Sequence, residues 1–186
     1  MERIAPRSYP VAIALLLAVP AVYAGTPPNG KASFSAAATA GLRLEGTSDA
    51  LSAAWDGDTL VVTVPTASLH TGIELRDKHL REHIEAEKYP TAVLRVPLTA
   101  IQLPAPAASA SGTAQGVLSF HGQVRPVSFT WHAMHSDGFD VNGGLKLDFT
   151  EFGVPVPTYL GISVKPPADV SVQFHVPAPP TAGAPR

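Results

Sequence analysis

The sequence predicts an all-β protein: about eight antiparallel strands with one short helix crossing between two of them. Three observations predict it. After residue 30 the apolar residues recur with a period of two rather than 3.6. Each alternating run has one dry and one wet face, which is the pattern of antiparallel sheets. Turn-forming residues, namely Gly57, Gly122, Gly138 and the "NGG" of residues 142–144, separate the runs where a reversal calls for positive φ.

The elements follow in order. Residues 1–24 carry Arg3 and Arg7, a short apolar run over 11–19, and the small-residue end "AVYA". That pattern is a secretory signal peptide with cleavage expected after Ala24, which implies a periplasmic or secreted protein. The run is short of the roughly 20 apolar residues that a membrane-spanning helix needs. The stretch "GLRLEGTSDALSAAWDGDTLVVTVPTASL" reads as two or three strands broken at "DGD". A charged segment over 71–90 reads as the helix. In "TAVLRVPL" the inward phase is Ala92, Leu94, Val96 and Leu98, with Arg95 facing out. Residues 103–112, "LPAPAASASG", have no periodicity and read as a loop.

Four further strands follow that loop. "GVLSFHG" sends Leu118 and Phe120 inward. "VSFTWHA" does the same with Val127, Phe129 and Trp131, "GLKLDFT" with Leu145, Leu147 and Phe149, and "VSVQFHV" with Val170, Val172, Phe174 and Val176. Residues 25–176 therefore read as a single domain, and the Pro-rich residues 177–186 as a disordered tail. About 160 residues after signal removal suffice to bury a sizeable core. Eight such strands build either a sandwich or a closed barrel, and a barrel of that size is either packed solid or holds a small ligand.

Composition excludes several classes. There is no cysteine, so no disulfide and no lipid anchor through a cysteine. The formal net charge is −2, with no basic stripe of the kind nucleic-acid binding requires. No segment after the first is long and apolar enough for a membrane span.

The charged segment contains Glu74, Arg76, Asp77, Lys78, Arg81, Glu82, Glu85, Glu87 and Lys88. Thr71 lies three residues before Glu74, the spacing of a capping box. Leu80 and Ile84 form a narrow i,i+4 apolar stripe, while Asp77 with Arg81 and Lys78 with Glu82 can pair on the wet side. Pro90 ends the helix and pushes Tyr89 into extended geometry. The charges then mark one solvated helix face. The sharper reading makes His79 and His83, also i,i+4, half of a site for zinc, copper or nickel, with His70, Glu82 or Glu87 as further ligands. "HLREH" lacks the glutamate of a zincin, so no metal is expected there. Catalytic motifs are missing too. There is no nucleophile elbow and no phosphate loop. Asp148 and Glu151 read as surface charges rather than a glycosidase pair, and Arg125 as a strand-start residue.

Taken together, the order of pieces resembles the YceI-like family of exported bacterial proteins. A strand ending in "LHTG" precedes "LRDKHLREHIEAEKYP" and "TAVLRV", followed by "GVLSFHGQVRPVSF" and "FGVPVPTYLGISVKPPADVSVQF". The most specific pieces are "RDKHL" followed by "KYP", and the frame set by Gly116, Leu118, Gly122, Pro126 and Val127. The chain departs at its first strand, where "ASFSAAATAGLRLEG" stands in place of the family's aromatic and paired polar residues. The resemblance implies a lipocalin-like barrel with an apolar lumen that binds a polyisoprenoid or similar amphiphile, without metal or catalytic residues. The expected lumen residues, with the face taken from alternation, are Leu94, Val96, Leu118, Phe120, Phe129, Trp131, Leu147 and Phe174. The leading expectation is thus an exported carrier or sequestering protein for an isoprenoid or fatty-acid lipid, with no cofactor. The alternatives are a metal-handling or enzymatic protein using His79 and His83, and a ligand-free interaction protein of the envelope.

Overall fold

A computed structural model describes residues 26–159 and 161–180. The expected signal segment and the last six residues of the expected tail lie outside the described residues. Eight strands close into an antiparallel barrel. In chain order they are β1 (Gly30–Ala37), β2 (Arg43–Asp56), β3 (Thr59–Pro65), β4 (Thr91–Pro97), β5 (Ser109–Phe120), β6 (Gln123–Ser136), β7 (Gly138–Leu147) and β10 (Ala168–Val176). A two-stranded hairpin, β8 (Thr158–Tyr159) with β9 (Ile162–Ser163), stands apart from the barrel. The helix, α1 (Glu74–His83), lies between β3 and β4. The all-β reading and the single crossing helix hold, and the choice left open between sandwich and barrel falls to the barrel.

Every strand pairs with its neighbour in sequence, and closure comes from β1, which pairs with β2 on one side and β10 on the other. Asn29 reinforces that seam. Its Oδ1 accepts the Ala53 N–H at 2.7 Å, and its Nδ2 donates to the carbonyls of Ala53 and His175 at 2.8 Å each. One amide side chain therefore ties the end of β1 to both neighbours.

Antiparallel order gives the barrel two unlike ends. At one end lie the tight turns around residues 57–58 and 137 and the connection over 98–108. At the other lie the long connections over 66–90, which contains α1, and 148–167, which contains β8 and β9. Buried side chains form two clusters. The one toward the tight-turn end includes Leu51, Leu60, Val96, Phe139 and Val176, and the one under α1 includes Ile84, Phe149, Val154 and Ala168.

Several local expectations are corrected. The 142–144 triplet does not turn but lies within β7, held extended because β6 and β10 pair with it on both sides. A Cβ on Gly143 would come within 3.1 Å of Val172 Cγ2, so its value there is close approach rather than reversal. The predicted loop over 103–112 is shorter, because β5 starts at Ser109 and sets Gly112 opposite Trp131. Leu98 leaves the strand for a 3₁₀ turn, its N–H donating to Asp58 O at 2.7 Å. Phe149 likewise opens a 3₁₀ turn, which Asp148 caps by accepting the Thr150 N–H at 3.0 Å.

Helix α1 is shorter than expected, and its start differs. Thr71 does not form a capping box with Glu74. Its N–H and hydroxyl both donate to Asp77 Oδ1, each at 2.6 Å, so that carboxylate serves Thr71 rather than an ion pair with Arg81. The Lys78–Glu82 pair is present at 3.9 Å. After His83 the chain tightens into turns, with Glu85 at φ 48°.

Two stability measurements test these contacts. Asn29→Ala leaves backbone groups of two strands without their partner and should cost about 1–3 kcal/mol in urea unfolding; an unchanged midpoint would remove Asn29 from the closure. Asp77 is held below the ordinary 3.8, first by the Thr71 hydroxyl and then by its N–H. Its contribution is complete above that ordinary value and disappears as pH falls through the lower folded value. Asp77→Asn should therefore lower Tm at neutral pH and flatten the acid limb of Tm against pH. Parallel acid limbs would show that the contact contributes nothing.

Candidate functional site

The inward phases of the eight strands do not fill the barrel. A cavity of about 250 Å³ lies inside it. Its wall follows β10 from Ala168 through Val170, Val172 and Phe174 to Val176. At about 3.3 Å per residue that is about 26 Å of strand, or about 20 Å along the axis of a barrel with typical tilt. The space is long and narrow.

All eight residues expected from alternation lie on this wall: Leu94, Val96, Leu118, Phe120, Phe129, Trp131, Leu147 and Phe174. Val96, Leu118 and Phe174 are buried, whereas Leu94, Phe120, Phe129, Trp131 and Leu147 keep intermediate exposure. For inward-facing side chains, such residual exposure is the mark of bordering on empty space rather than on packed neighbours. Small residues make the room. Ala32, Ala36, Ala92, Ala133 and Gly143 occupy wall positions where a larger side chain would close the gap.

Alternation missed part of the wall. Trp55, Leu60, Val62, Phe139 and Val141 also face the cavity and obey the same period of two, so the signal for them was present in their strands. Phe34 was hidden in an alanine- and serine-rich first strand with a weak pattern, and Leu44 stands at the start of β2. The remaining wall comes from outside the strands: Leu80, His83 and Ile84 of the α1 region, and Phe149, Val154 and Pro157 of the connection before β10. The Leu80–Ile84 stripe therefore does more than hold the helix down, since it roofs one end of the cavity. At the other end Ile101 and Leu103 form part of the wall.

The wall is apolar almost throughout. Apart from the two indoles, only Ser33 and His83 bring polar side chains to it. Trp55 directs its Nε1–H away, to Pro177 O at 2.8 Å. His83 Nε2 donates to Pro155 O at 2.7 Å, which ties α1 to the connection before β10. That bond occupies one of the two ring nitrogens, and among the described residues no three His, Asp or Glu side chains gather as a metal site. His79 is exposed and belongs to no such group. Asp148 is a cap, and Glu151 faces solvent.

Titratable groups with shifted equilibria all lie off the wall. The Glu85 carboxyl is lowered chiefly by its hydrogen bond from Lys88, at 3.0 Å, and Asp140 chiefly by the His175 ring at 2.9 Å. Beside α1, buried His121 uses Nδ1 to donate to Phe152 O at 3.1 Å and packs against Tyr89 with ring centroids 4.6 Å apart. Its Nε2 has no hydrogen-bond partner and lies 3.8 Å from Glu85 Oε1. Glu85, Lys88 and His121 support the structure around the α1 end, and Asp140 with His175 that of the tight-turn end. What the cavity itself offers is desolvation along apolar walls.

A cavity and a solid core respond differently to truncation. Phe152 is only 1% exposed, and Phe152→Ala should cost about 3–5 kcal/mol, the usual loss for a close-packed phenylalanine. Phe129→Ala enlarges space that already exists and should cost clearly less, about 1–2 kcal/mol, because fewer contacts are lost. Equal losses in urea unfolding would mean that Phe129 is ordinary core.

The YceI-like domain matches residues 23–178, most of the chain, and the protein belongs to the YceI-like family. Among solved structures, a polyisoprenoid binding domain from Saccharophagus degradans implicated in plant cell wall breakdown is similar, with a TM-score of 0.64 and 16% identity. The match covers 81% of this chain and 96% of that one. BcnA of Burkholderia cenocepacia is similar with a TM-score of 0.61 and 16% identity, covering 78% and 94%. At that identity the likeness is one of fold. No curated protein sequence matches the chain.

Proposed function

We propose that this member of the YceI-like family is an exported binding protein that sequesters or carries an isoprenoid or other amphiphilic lipid in its barrel. One observation carries the reading: an unfilled, almost wholly apolar cavity runs the length of the barrel. Water in such a space has few polar partners, and an inserted hydrocarbon chain gains about 25 cal/mol for each Å² of apolar surface removed from water. The shape suits one extended chain rather than a compact polycyclic body. Beyond Ser33, His83 and the Trp131 indole nothing on the wall offers a polar head a partner, so the head group would stay at an end, where charged and polar side chains are plentiful. The polyisoprenoid binding domain from Saccharophagus degradans, with the same fold, supports an isoprenoid as the first candidate. The family and the apolar wall favour binding over catalysis. Export rests on the sequence alone, through the basic and then apolar segment of residues 1–24.

The test is native mass spectrometry of untagged protein recovered from its own host, followed by solvent extraction and lipid analysis. A stoichiometric adduct of isoprenoid or fatty-acid mass is expected, on a chain that begins at Gly25. Leu94→Trp, which places an indole in the cavity, should fold and lose the adduct. A metal adduct removed by His79→Ala with His83→Ala would overturn the reading. So would an apo chain that, refolded with lipid, takes up none.

A further inference from the structure

The cavity wall finishes differently at its two ends. On five strands the last inward position toward the tight-turn end is a bulky residue: Trp55 on β2, Leu60 on β3, Val96 on β4, Phe139 on β7 and Val176 on β10. Strand register sets these residues side by side, since Trp55 pairs with Leu60, Leu60 with Val96, and Phe139 with Val176. Leu60, Val96, Phe139 and Val176 are buried, whereas Leu94, Phe129 and Val141 farther up the wall keep intermediate exposure. A layer that lines the cavity while itself shut off from water is a floor.

Fixed groups back that floor. His135 of β6 sets its ring 4.3 Å from the Phe139 ring, and its Nδ1 donates to Pro104 O at 3.0 Å. Its backbone accepts the Ala107 N–H at 3.2 Å and donates to Ala108 O at 2.9 Å, which ties down the connection that adds Ile101 and Leu103 to the wall. Trp55 is held by its bond to Pro177 O. The roof at the other end rests on α1, none of whose own residues is buried, and on the His83–Pro155 bond.

Building on the lipid-binding reading above, we infer that the cavity is a one-ended ruler. A single chain enters tail first through the α1 end, its head stays at that end, and the Phe139 layer sets the greatest length of chain that can be buried. Two quantities bound this length. An extended chain advances about 1.2 Å per backbone bond, so an axis of about 20 Å admits about 16 carbons. An apolar cavity of about 150 Å³ takes the six carbons of benzene, so 250 Å³ takes about ten by proportion. The best-fitting chain therefore has between about ten and sixteen carbons, which for an isoprenoid is about two or three units. A longer isoprenoid leaves its remaining units outside the barrel, at the α1 end.

The test is binding of straight-chain carboxylates, from octanoate to eicosanoate, to the delipidated protein below their micelle-forming concentrations. Affinity should rise about fourfold per added methylene while carbons are being buried, then level off or fall between decanoate and hexadecanoate. Phe139→Ala lowers the floor and should move that break to longer chains. Val141→Phe, one inward position above Phe139 and bordering open space, should move it to shorter ones, and it serves where Phe139→Ala does not fold. Orientation is read from the two tryptophans, Trp55 in the floor and Trp131 midway along the wall. In Trp131→Phe, a bromine on the last carbon of dodecanoate should quench Trp55 more than a bromine beside the carboxylate. Failure of every chain to bind overturns the lipid-binding reading and the ruler with it. Affinity that still climbs at eicosanoate, or a break that neither variant moves, overturns the ruler alone. Stronger quenching by the bromine beside the carboxylate overturns the tail-first orientation.

Discussion

Closure of the sheet between β1 and β10 is the constraint on which the rest of the structure depends. With the six paired positions from Gly30–Phe174 to Ser35–Asp169 in place, no barrel strand has a free edge and the inner face becomes an enclosed space. Without them the same strands would be an open sheet, and the apolar phase of each would need another layer to cover it. Asn29 matters for this reason. It stands where β1 begins, and its amide answers backbone groups of both neighbours at the one seam that joins strands distant in sequence.

Once the barrel closes, side-chain volume decides whether it is solid or hollow. An eight-strand barrel is just wide enough for side chains to fill. Here alanine and glycine recur on the inner face, so the aromatic and leucine side chains opposite them do not meet across the centre. The buried residues consequently form two clusters, one toward each end, and members of both line the cavity. The cavity follows from wall composition. A dry void costs contacts, as any cavity does, and the fold carries that cost without disulfides.

This explains how much was legible in the sequence. The pleat forces a period of two, so the inner phase of β4, β5, β6, β7 and β10 could be read directly, and all eight residues taken from it lie on the cavity wall. What alternation cannot encode is where a ladder stops. Leu98 and Phe149 continue the apolar phase but leave the sheet: Leu98 makes one last in-register bond to Asp58 O and then opens a 3₁₀ turn closed by Ile101 N–H to its own carbonyl, and the Asp148 cap starts the turn at Phe149. The 142–144 triplet looked like a turn because glycine permits one, yet long partners on both sides keep it extended. The roof was half legible. Its stripe, Leu80 and Ile84, was visible, but its pairing with the connection before β10 was not, since His83 meets a backbone carbonyl far away in sequence.

The two ends differ in what it costs to open them. The tight-turn end is bounded by short reversals around 57–58 and 137 and by the connection over 98–108, which backbone bonds from Leu98 to Asp58 and between Ala107, Ala108 and His135 tie to the strand ends, so opening it means breaking bonds that extend the ladders. The α1 end is covered by long connections, held to each other and to the barrel by separate polar contacts: His83 to Pro155, Thr39 to Ser163, and the Thr47–His70 bridge. Helix α1 buries only a narrow stripe, and none of its own residues is fully buried. Segments with few buried apolar contacts and solvent-exposed hydrogen bonds open at lower free energy than the core ladders. Access to the cavity is therefore least costly at the α1 end. The barrel can stay closed while its roof moves, because the contacts that close the sheet and the contacts that hold the roof share almost no residues.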